Sequence, residues 1–246
     1  MNEKEKKQII ENLIPTFQEA ENLSIELRKR GLKKEIKLDN TPVSNGDIEV
    51  NKLITSKIKK ITPKIPIVSE ESSSNKLNKN LETFWLIDPI DGTYDYINNG
   101  DEFTINAGLI VNNRPVAGII SAPAKKRLFY TYNKEECFEL SNNEKKKLNC
   151  SKLSKKNEVK AVSYSNKLKP IIEEWHKKLH VTDYIEMKSS LKFCVIATGE
   201  YDLYVAEPRA CEWDISAGHA LIINAGGFVT DFENNEILYG KKDFKN

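Results

Sequence analysis

Apolar residues follow two rhythms along the chain, and the change from one to the other separates helices from strands. Ile10, Leu13, Phe17, Ala20, Leu23 and Leu27 recur at spacings of three and four, the period of a helix with one buried face, and the run stops at Gly31. Pro15 lies inside that run. Its missing N–H predicts a kink, or a division into two helices with Pro15 opening the second. Residues 37–47 are polar and read as a loop. Ile48, Ile54, Ile58 and Ile61 then mark a second amphipathic helix, with Asp47 in its first turn, where the helix dipole favours an acid. Residues 65–68 and 84–87 are continuous apolar runs closed by acidic and turn residues, which predicts two short interior strands, the second leading into a tight loop.

From residue 103 the pattern becomes strand-like. Runs at 103–111, 115–121, 127–132 and 136–140, joined by Asn- and Lys-rich turns, predict an antiparallel meander. After low-complexity connectors at 142–147 and 151–157, strands and helices alternate: strand 159–164, helix 167–179, strand 184–187, helix 190–198, strand 203–205 and helix 214–225. The switch sets a soft boundary near residue 155. It divides an N-terminal half, 1–155, holding the antiparallel sheet, from a C-terminal α/β half, 156–246, over a shared core.

Composition narrows the class. A chain of 246 residues can build a sizeable core without staples. Its four cysteines form no C-x-x-C pair and only three histidines accompany them, which argues against zinc and against a disulfide framework. A net charge of +2 with 30% charged residues describes a balanced surface, not one that binds a nucleic-acid polymer, and Lys145-Lys146-Lys147 reads as a solvated face. No apolar run approaches the roughly 20 residues of a membrane span. Met1-Asn2-Glu3-Lys4 is no apolar signal segment either, so a reduced cytosol is the expected setting.

The chemistry gathers on acidic residues at element junctions. Asp88-Pro89-Ile90-Asp91-Gly92-Thr93 closes the second apolar run, and Pro89 stiffens a turn from which Asp88, Asp91 and the Ile90 carbonyl can face one point. Oxygen ligands alone suit a hard cation, Mg²⁺, Mn²⁺ or Ca²⁺. The N–H groups of Gly92 and Thr93 can hold a phosphate oxygen. Taken singly the motif is also an ordinary surface turn. Ser69-Glu70-Glu71 after the first apolar run, and Glu212-Trp213-Asp214 at the start of a small-residue helix, repeat the same placement of acids. Phosphate loops of the Gly-x-x-x-x-Gly-Lys type and Gly-x-Gly-x-x-Gly are absent. The spacing of Asp88 and Asp91 is one residue too long for an aspartyl-phosphate enzyme. Ser189-x-x-Lys192 lacks the Lys-Thr-Gly partner of serine acylases, and His219 reads as a structural imidazole.

The set Asp39, Asp47, Glu70-Glu71, Asp88 to Thr93 and Trp213-Asp214 resembles the inositol monophosphatase superfamily of Mg²⁺-dependent, Li⁺-sensitive phosphatases. Its signatures Asp-Pro-[Ile/Leu]-Asp-Gly-Thr and Trp-Asp-x-x-Ala-Gly stand here as Asp88 to Thr93 and Trp213 to Gly218. Within it the chain is most similar to the bacterial 3′(2′),5′-bisphosphate nucleotidases of sulfur metabolism, through Asp39-Asn40-Thr41-Pro42-Val43, Gly100 to Asn106 and Ser189 to Cys194. The resemblance implies a layered αβαβα sandwich of the α/β (α+β) class. It implies metal ligands at Glu70, Asp88, the Ile90 carbonyl, Asp91 and Asp214, holding two or three Mg²⁺ ions, with Li⁺ as an inhibitor. Two such ions, about 4 Å apart, activate a water and stabilise the leaving oxygen. Asp47 and Thr93 would orient or deprotonate that water with help from Glu70, and Gly92 and Thr93 would hold the phosphate; beyond what the resemblance implies, Ser189, Lys192 and Arg209 are the candidate substrate contacts beside the metal centre. The implied substrate is adenosine 3′,5′-bisphosphate or another small phosphate ester, and the implied protein is a cytoplasmic monomer or homodimer, open to peripheral association with the inner membrane.

One position departs from that pattern. The arginine that nucleotidases of this type carry two residues after the tyrosine equivalent to Tyr204 is Ala206 here, and the nearest arginine is Arg209. Inositol monophosphatase or sugar-bisphosphatase activity is therefore the alternative within the same chemistry. A non-catalytic metal- or phosphate-binding protein is the rival from another class. Loss of Thr93, Asp47 or a metal carboxylate would mark that rival, and none is lost.

Overall fold

A computed structural model describes residues 1–37, 40–71, 81–142, 144–152 and 158–246. Helix α1, Glu3–Arg30, opens with a reciprocal cap in which Asn2 Oδ1 accepts from Glu5 N and Glu5 Oε2 accepts from Asn2 N. It continues through Pro15 as one helix, contrary to the expected break. Pro15 is exposed, so water can take the carbonyl bond it forfeits, while Leu13, Thr16 and Phe17 on either side hold the helix to the sheet beneath. The stretch read as a plain polar loop contains two short paired strands, β1 (Lys34–Ile36) and β2 (Pro42–Ser44), and Asp39 lies outside the described residues. Helix α2 spans Asn45–Ile61.

Seven strands then form one sheet: β3 (Ile67–Ser69), β4 (Phe84–Asp91), β5 (Thr104–Val111), β6 (Arg114–Ala122), β7 (Arg127–Asn133), β8 (Glu136–Ser141) and β9 (Glu144–Lys147), in that order. Only the β3–β4 pair is parallel; the rest is the expected meander. Strand β9 occupies residues read as a connector. Between β4 and β5 sits the short helix α3, Thr93–Ile97. A second sheet, all parallel, has the order β11 (Val181–Glu186), β10 (Val159–Ser163), β12 (Leu203–Tyr204). It is connected through α4 (Pro170–Lys178) and α5 (Leu191–Ala197), and α6 (Glu212–Asn224) follows.

These elements stack in five layers. Helices α1 and α2 bury Ile10, Leu13, Phe17, Ile54 and Ile58 on one face of the large sheet against Trp85, Ile87 and Ile105. Helices α5 and α6 lie on its other face, where Ile120 and Phe129 meet Phe193, Leu221 and Val162 in one cluster joined by Ile185 and Tyr204 of the small sheet. The alternation of strand side chains turns Tyr184 outward onto His176 of α4, the outermost layer. The expected αβαβα sandwich is therefore the fold. The boundary expected near residue 155 falls in 153–157, outside the described residues.

The middle layer sits unusually close to the large sheet. A Cβ on Gly108 would lie 2.4 Å from Ser216 Oγ, so only glycine lets α6 seat directly on β5. That approach brings the first turn of α6 to the end of β4. Among the described residues no helix is long and apolar enough to cross a membrane.

Candidate active site

Strand β4 does not end before its acids, as the turn reading expected. It runs on through Asp91, with its register on β5 slipping between the Asp88–Asn106 and Asp91–Thr104 pairs. Pro89 has no N–H to give to the ladder, and the slip removes the need for one. Within the irregularity Ile90 N donates to Asp88 Oδ1 at 3.1 Å. Gly92 then turns the chain at φ +89°, a left-handed conformation that favours glycine, and α3 starts at Thr93. On the neighbouring strand, Glu70 N donates to the Ile87 carbonyl at 3.0 Å, which places Glu70 beside Asp88.

Two further carboxylates arrive on helix N-termini, and both are third residues of reciprocal caps. Asp47 Oδ2 accepts from Ser44 N at 2.8 Å and Ser44 Oγ at 2.6 Å. Asp214 Oδ2 accepts from Cys211 N at 2.7 Å. The capping donors fix each carboxyl plane through one oxygen. Thr93 Oγ1 lies 3.0 Å from both Asp47 Oδ1 and the Ile90 carbonyl and donates its one proton to either. Ser190 Oγ lies 2.7 Å from Asp91 Oδ2 and 2.8 Å from the Asp214 carbonyl, tying β4 to α6.

The carboxylates feel one another strongly. Burial raises the pKa of Asp88 well above the usual range, and the charges of Glu70, Asp91 and Asp214 add to it. Asp214 is raised by burial and by Asp91 and Glu70. Asp91 is also raised by burial, opposed by the Lys192 ammonium and the Ser190 hydroxyl. Burial raises Asp47 too, against its three hydrogen bonds. Each carboxyl keeps one oxygen on a fixed protein donor, and among the described residues no three His, Cys, Asp or Glu side chains already close on one ion position. The donor set is nevertheless all oxygen, buried and acidic, which fits hard divalent cations and leaves strong repulsion in need of positive charge.

Three cations gather on the ring of Tyr164, and one of them, Lys192, acts on Asp91 and Asp214. The Arg209 guanidinium lies 4.1 Å from the Tyr164 ring centre, and Lys188 and Lys192 Nζ lie at 4.5 and 5.7 Å from it. Lys192 Nζ also lies 5.3 Å from the Tyr204 ring and donates to the Ser189 carbonyl. Burial lowers its pKa to about 8; Asp91 and Glu102 hold it up, and Lys188 and Arg209 push it down further. The ordinary ion-pair roles open to Arg209 are taken elsewhere: Glu207 pairs with Lys169, and Glu212 accepts from Gly240 N and Lys241 N.

Glu70, Asp88, Asp91 and Asp214 thus act on one another, Thr93 joins Asp47, Gly92 approaches Ser189, and Lys192 links Asp91 to Arg209. Sequence reasoning passed over Ser190, Tyr164, Lys188 and Lys37. Ser190 was adjacent to a residue already singled out, whereas nothing local marks Tyr164 or Lys37. Two buried polar side chains, Asn106 and Thr104, pair across from Asp88 and Asp91, and among the described residues they find no hydrogen-bond partner.

Comparison with known proteins gives the family. The chain is 34% identical over 204 residues to a Buchnera aphidicola protein named 3′(2′),5′-bisphosphate nucleotidase CysQ, covering 82% of this chain and 76% of that one. It is 31% identical over 223 residues to the Salmonella typhimurium protein of the same name, covering 84% and 83%. In fold it is similar to CysQ from Bacteroides thetaiotaomicron, with a TM-score of 0.77, 24% identity and 97% and 94% coverage. A Thermotoga maritima IMPase follows at a TM-score of 0.76, 24% identity and 96% and 89% coverage. With residues 5–245 matching the model of the inositol monophosphatase family, the chain belongs to that family.

Proposed function

We propose that this protein is a metal-dependent phosphomonoesterase acting as a 3′(2′),5′-bisphosphate nucleotidase, which converts adenosine 3′,5′-bisphosphate to AMP and phosphate. One juxtaposition carries the reading: Lys192, one of three cations on the Tyr164 ring, acts on Asp91 and Asp214 of the buried carboxylate cluster, and the Thr93–Asp47 pair adjoins the Ile90 carbonyl. The relatives named CysQ support the same substrate.

Glu70, Asp88, the Ile90 carbonyl, Asp91 and Asp214 are the groups that would hold Mg²⁺. Bound there, the ions would activate a water and offset the charge developing on the leaving oxygen. The chain supplies the rest. Thr93 Oγ1, donating to Asp47 Oδ1, has its lone pairs left to accept from the attacking water, so the proton moves toward Asp47 through a hydroxyl held at 3.0 Å. Ser44 keeps Asp47 in place from behind. Gly92 and Thr93 N–H groups hold the transferred phosphate, and Glu70 helps orient the water. Ser189, Lys192 and Arg209 meet the second phosphate, with Arg209 filling the place left by Ala206.

The two halves would then divide the work. Residues 1–155 bring the water-activating pair and most metal groups, and 156–246 bring Asp214 and the substrate-selecting cations. The proposed setting is the cytoplasm, as a monomer or homodimer. A panel of phosphomonoesters assayed for Mg²⁺-dependent phosphate release tests the reading. Preference for adenosine 3′,5′-bisphosphate is expected; faster release from inositol monophosphate or a sugar bisphosphate would overturn the substrate, and metal-independent release would overturn the reaction type.

A further inference from the structure

Thr93 and Asp47 stand 46 positions apart on different helices. Each is fixed within its own element, Asp47 by the Ser44 cap and Thr93 by the Gly92 turn at the end of β4, and neither contact sets the distance between α2 and α3. Tyr96 does. It lies one helical turn along α3 from Thr93 and is completely buried. Its hydroxyl donates to the Ser24 carbonyl of α1 at 2.7 Å; burial, with the Asp47 charge adding to it, raises the hydroxyl pKa and keeps that donor protonated. Its ring rests on the backbone of Gly46, the residue before Asp47, where a Cβ would lie 2.5 Å from both Cε1 and the hydroxyl oxygen. One side chain thus joins α1, α2 and α3, next to Asp47 and one turn from Thr93.

The ring has no room to swing away from an added methyl. The Phe103 ring centre lies 4.8 Å from it, and the Arg28 guanidinium covers the Tyr96 and Phe103 rings at 5.7 and 5.0 Å. Arg28 is itself held by the Gly100 carbonyl at 2.6 Å. A side chain at position 46 would therefore push the first turn of α2 away from α3, by about the 1 Å that separates so close an approach from an ordinary carbon contact. We infer that Tyr96 is a positioning residue for the water-activating pair, and that Gly46 is the socket through which its ring holds Thr93 Oγ1 against Asp47 Oδ1. The inference rests on the role given to that pair above.

A crystal structure and a kinetic cycle test it. In Gly46→Ala the Thr93 Oγ1–Asp47 Oδ1 distance should open from 3.0 Å to beyond hydrogen-bonding reach, with the Ser44–Asp47 cap intact. Its kcat for Mg²⁺-dependent phosphate release should fall about 10²-fold, the scale of a misplacement of about 1 Å, while KM stays near wild type. Gly46→Ala should add no further loss to Tyr96→Leu, whose shorter side chain clears position 46. It should also add none to Thr93→Ala, because its effect passes through that hydroxyl. A purely structural role would lower stability in urea and leave the kcat of the folded fraction unchanged. Gly46→Ala with the 3.0 Å contact kept, or with losses that multiply with those of Thr93→Ala, overturns the inference and leaves the phosphatase reading standing. A wild type that releases no phosphate overturns that reading, and the crystallographic distance then decides the inference alone. If Gly46→Ala does not fold, Tyr96→Phe, which cuts the ring loose from α1, decides by the same two readouts: a longer Thr93–Asp47 distance and a smaller fall in kcat support the inference, and no change in either overturns it.

Discussion

Replacing Arg209 separates a selectivity residue from an ordinary surface arginine. Its guanidinium is exposed but already laid on the Tyr164 ring at 4.1 Å, so little further ordering is needed when a phosphate arrives. A charge-assisted hydrogen bond contributes about 1.5–3 kcal/mol, and solvent exposure here places the contact at the low end. A loss of about 1.5 kcal/mol corresponds to roughly tenfold in rate. Arg209→Ala should therefore reduce kcat/KM on adenosine 3′,5′-bisphosphate about tenfold, while hydrolysis of a mononucleotide or inositol monophosphate stays near wild type. Arg209→Lys should fall between, because an ammonium keeps the charge and loses the planar fork. A second readout comes from Lys192, whose pKa of about 8 is set first by burial and reduced further by Lys188 and Arg209. Without Arg209 that repulsion weakens, and the alkaline fall in bisphosphate binding should move to higher pH. Equal losses on every substrate, with an unchanged pH profile, would remove Arg209 from the site.

Other outcomes follow from the same geometry. Asp91→Asn should lower turnover by about 10³-fold or more while circular dichroism stays unchanged, since a ligand charge is lost where cations need compensation; a variant retaining a tenth of wild-type turnover with the same metal requirement would refute the ligand assignment. Millimolar Li⁺ added to the Mg²⁺-loaded enzyme should inhibit phosphate release, and unchanged turnover would show that the ion sites differ from those the family resemblance implies. His219 is buried against the Tyr239 hydroxyl, and burial lowers its pKa to about 4, so the unfolded chain binds more protons than the folded one between about pH 6.5 and 4. Stability should fall as pH falls through that window, on the order of 3 kcal/mol more for wild type than for His219→Gln in urea titrations; identical pH slopes would refute it.

The parts of the fold legible in the sequence are those in which burial repeats with a period. Helix α1 presents one apolar face to the large sheet, and strands β4 to β8 bury both faces between two helical layers, so the patterns recur in the chain as spacings of three and four and as continuous runs. Strand β9 has no such face. All four of its residues are exposed on the sheet edge, where lysines discourage further pairing, so its strand character comes only from the β8 backbone beside it. The same holds for β1, three exposed residues paired with β2. Pro15 misleads for a related reason. The cost of a proline depends on what surrounds its helix, and residues packed on both sides keep α1 whole.

In the site, carboxylates were legible because acids at the ends of apolar runs have few structural reasons to recur. Their partners were not, because each is supplied by a distant element. Ser190 reaches Asp91 across 99 positions, and Lys37 reaches Glu70 across 33. What unites Asp47 and Asp214 is also invisible locally. Each is the third residue of a helix and closes the cap at its start, so one oxygen satisfies a backbone N–H and the other is left for chemistry. The positive end of the helix dipole favours the ionised form at that position, offsetting part of the burial that raises both pKa values. The two demands on these aspartates coincide, because a carboxylate that must sit at a fixed angle in a buried site is best fixed by donors that are themselves part of a helix. Seating α6 on Gly108 then converts the rigidity of one cap into the position of Asp214 relative to β4, and so to Asp88 and Asp91.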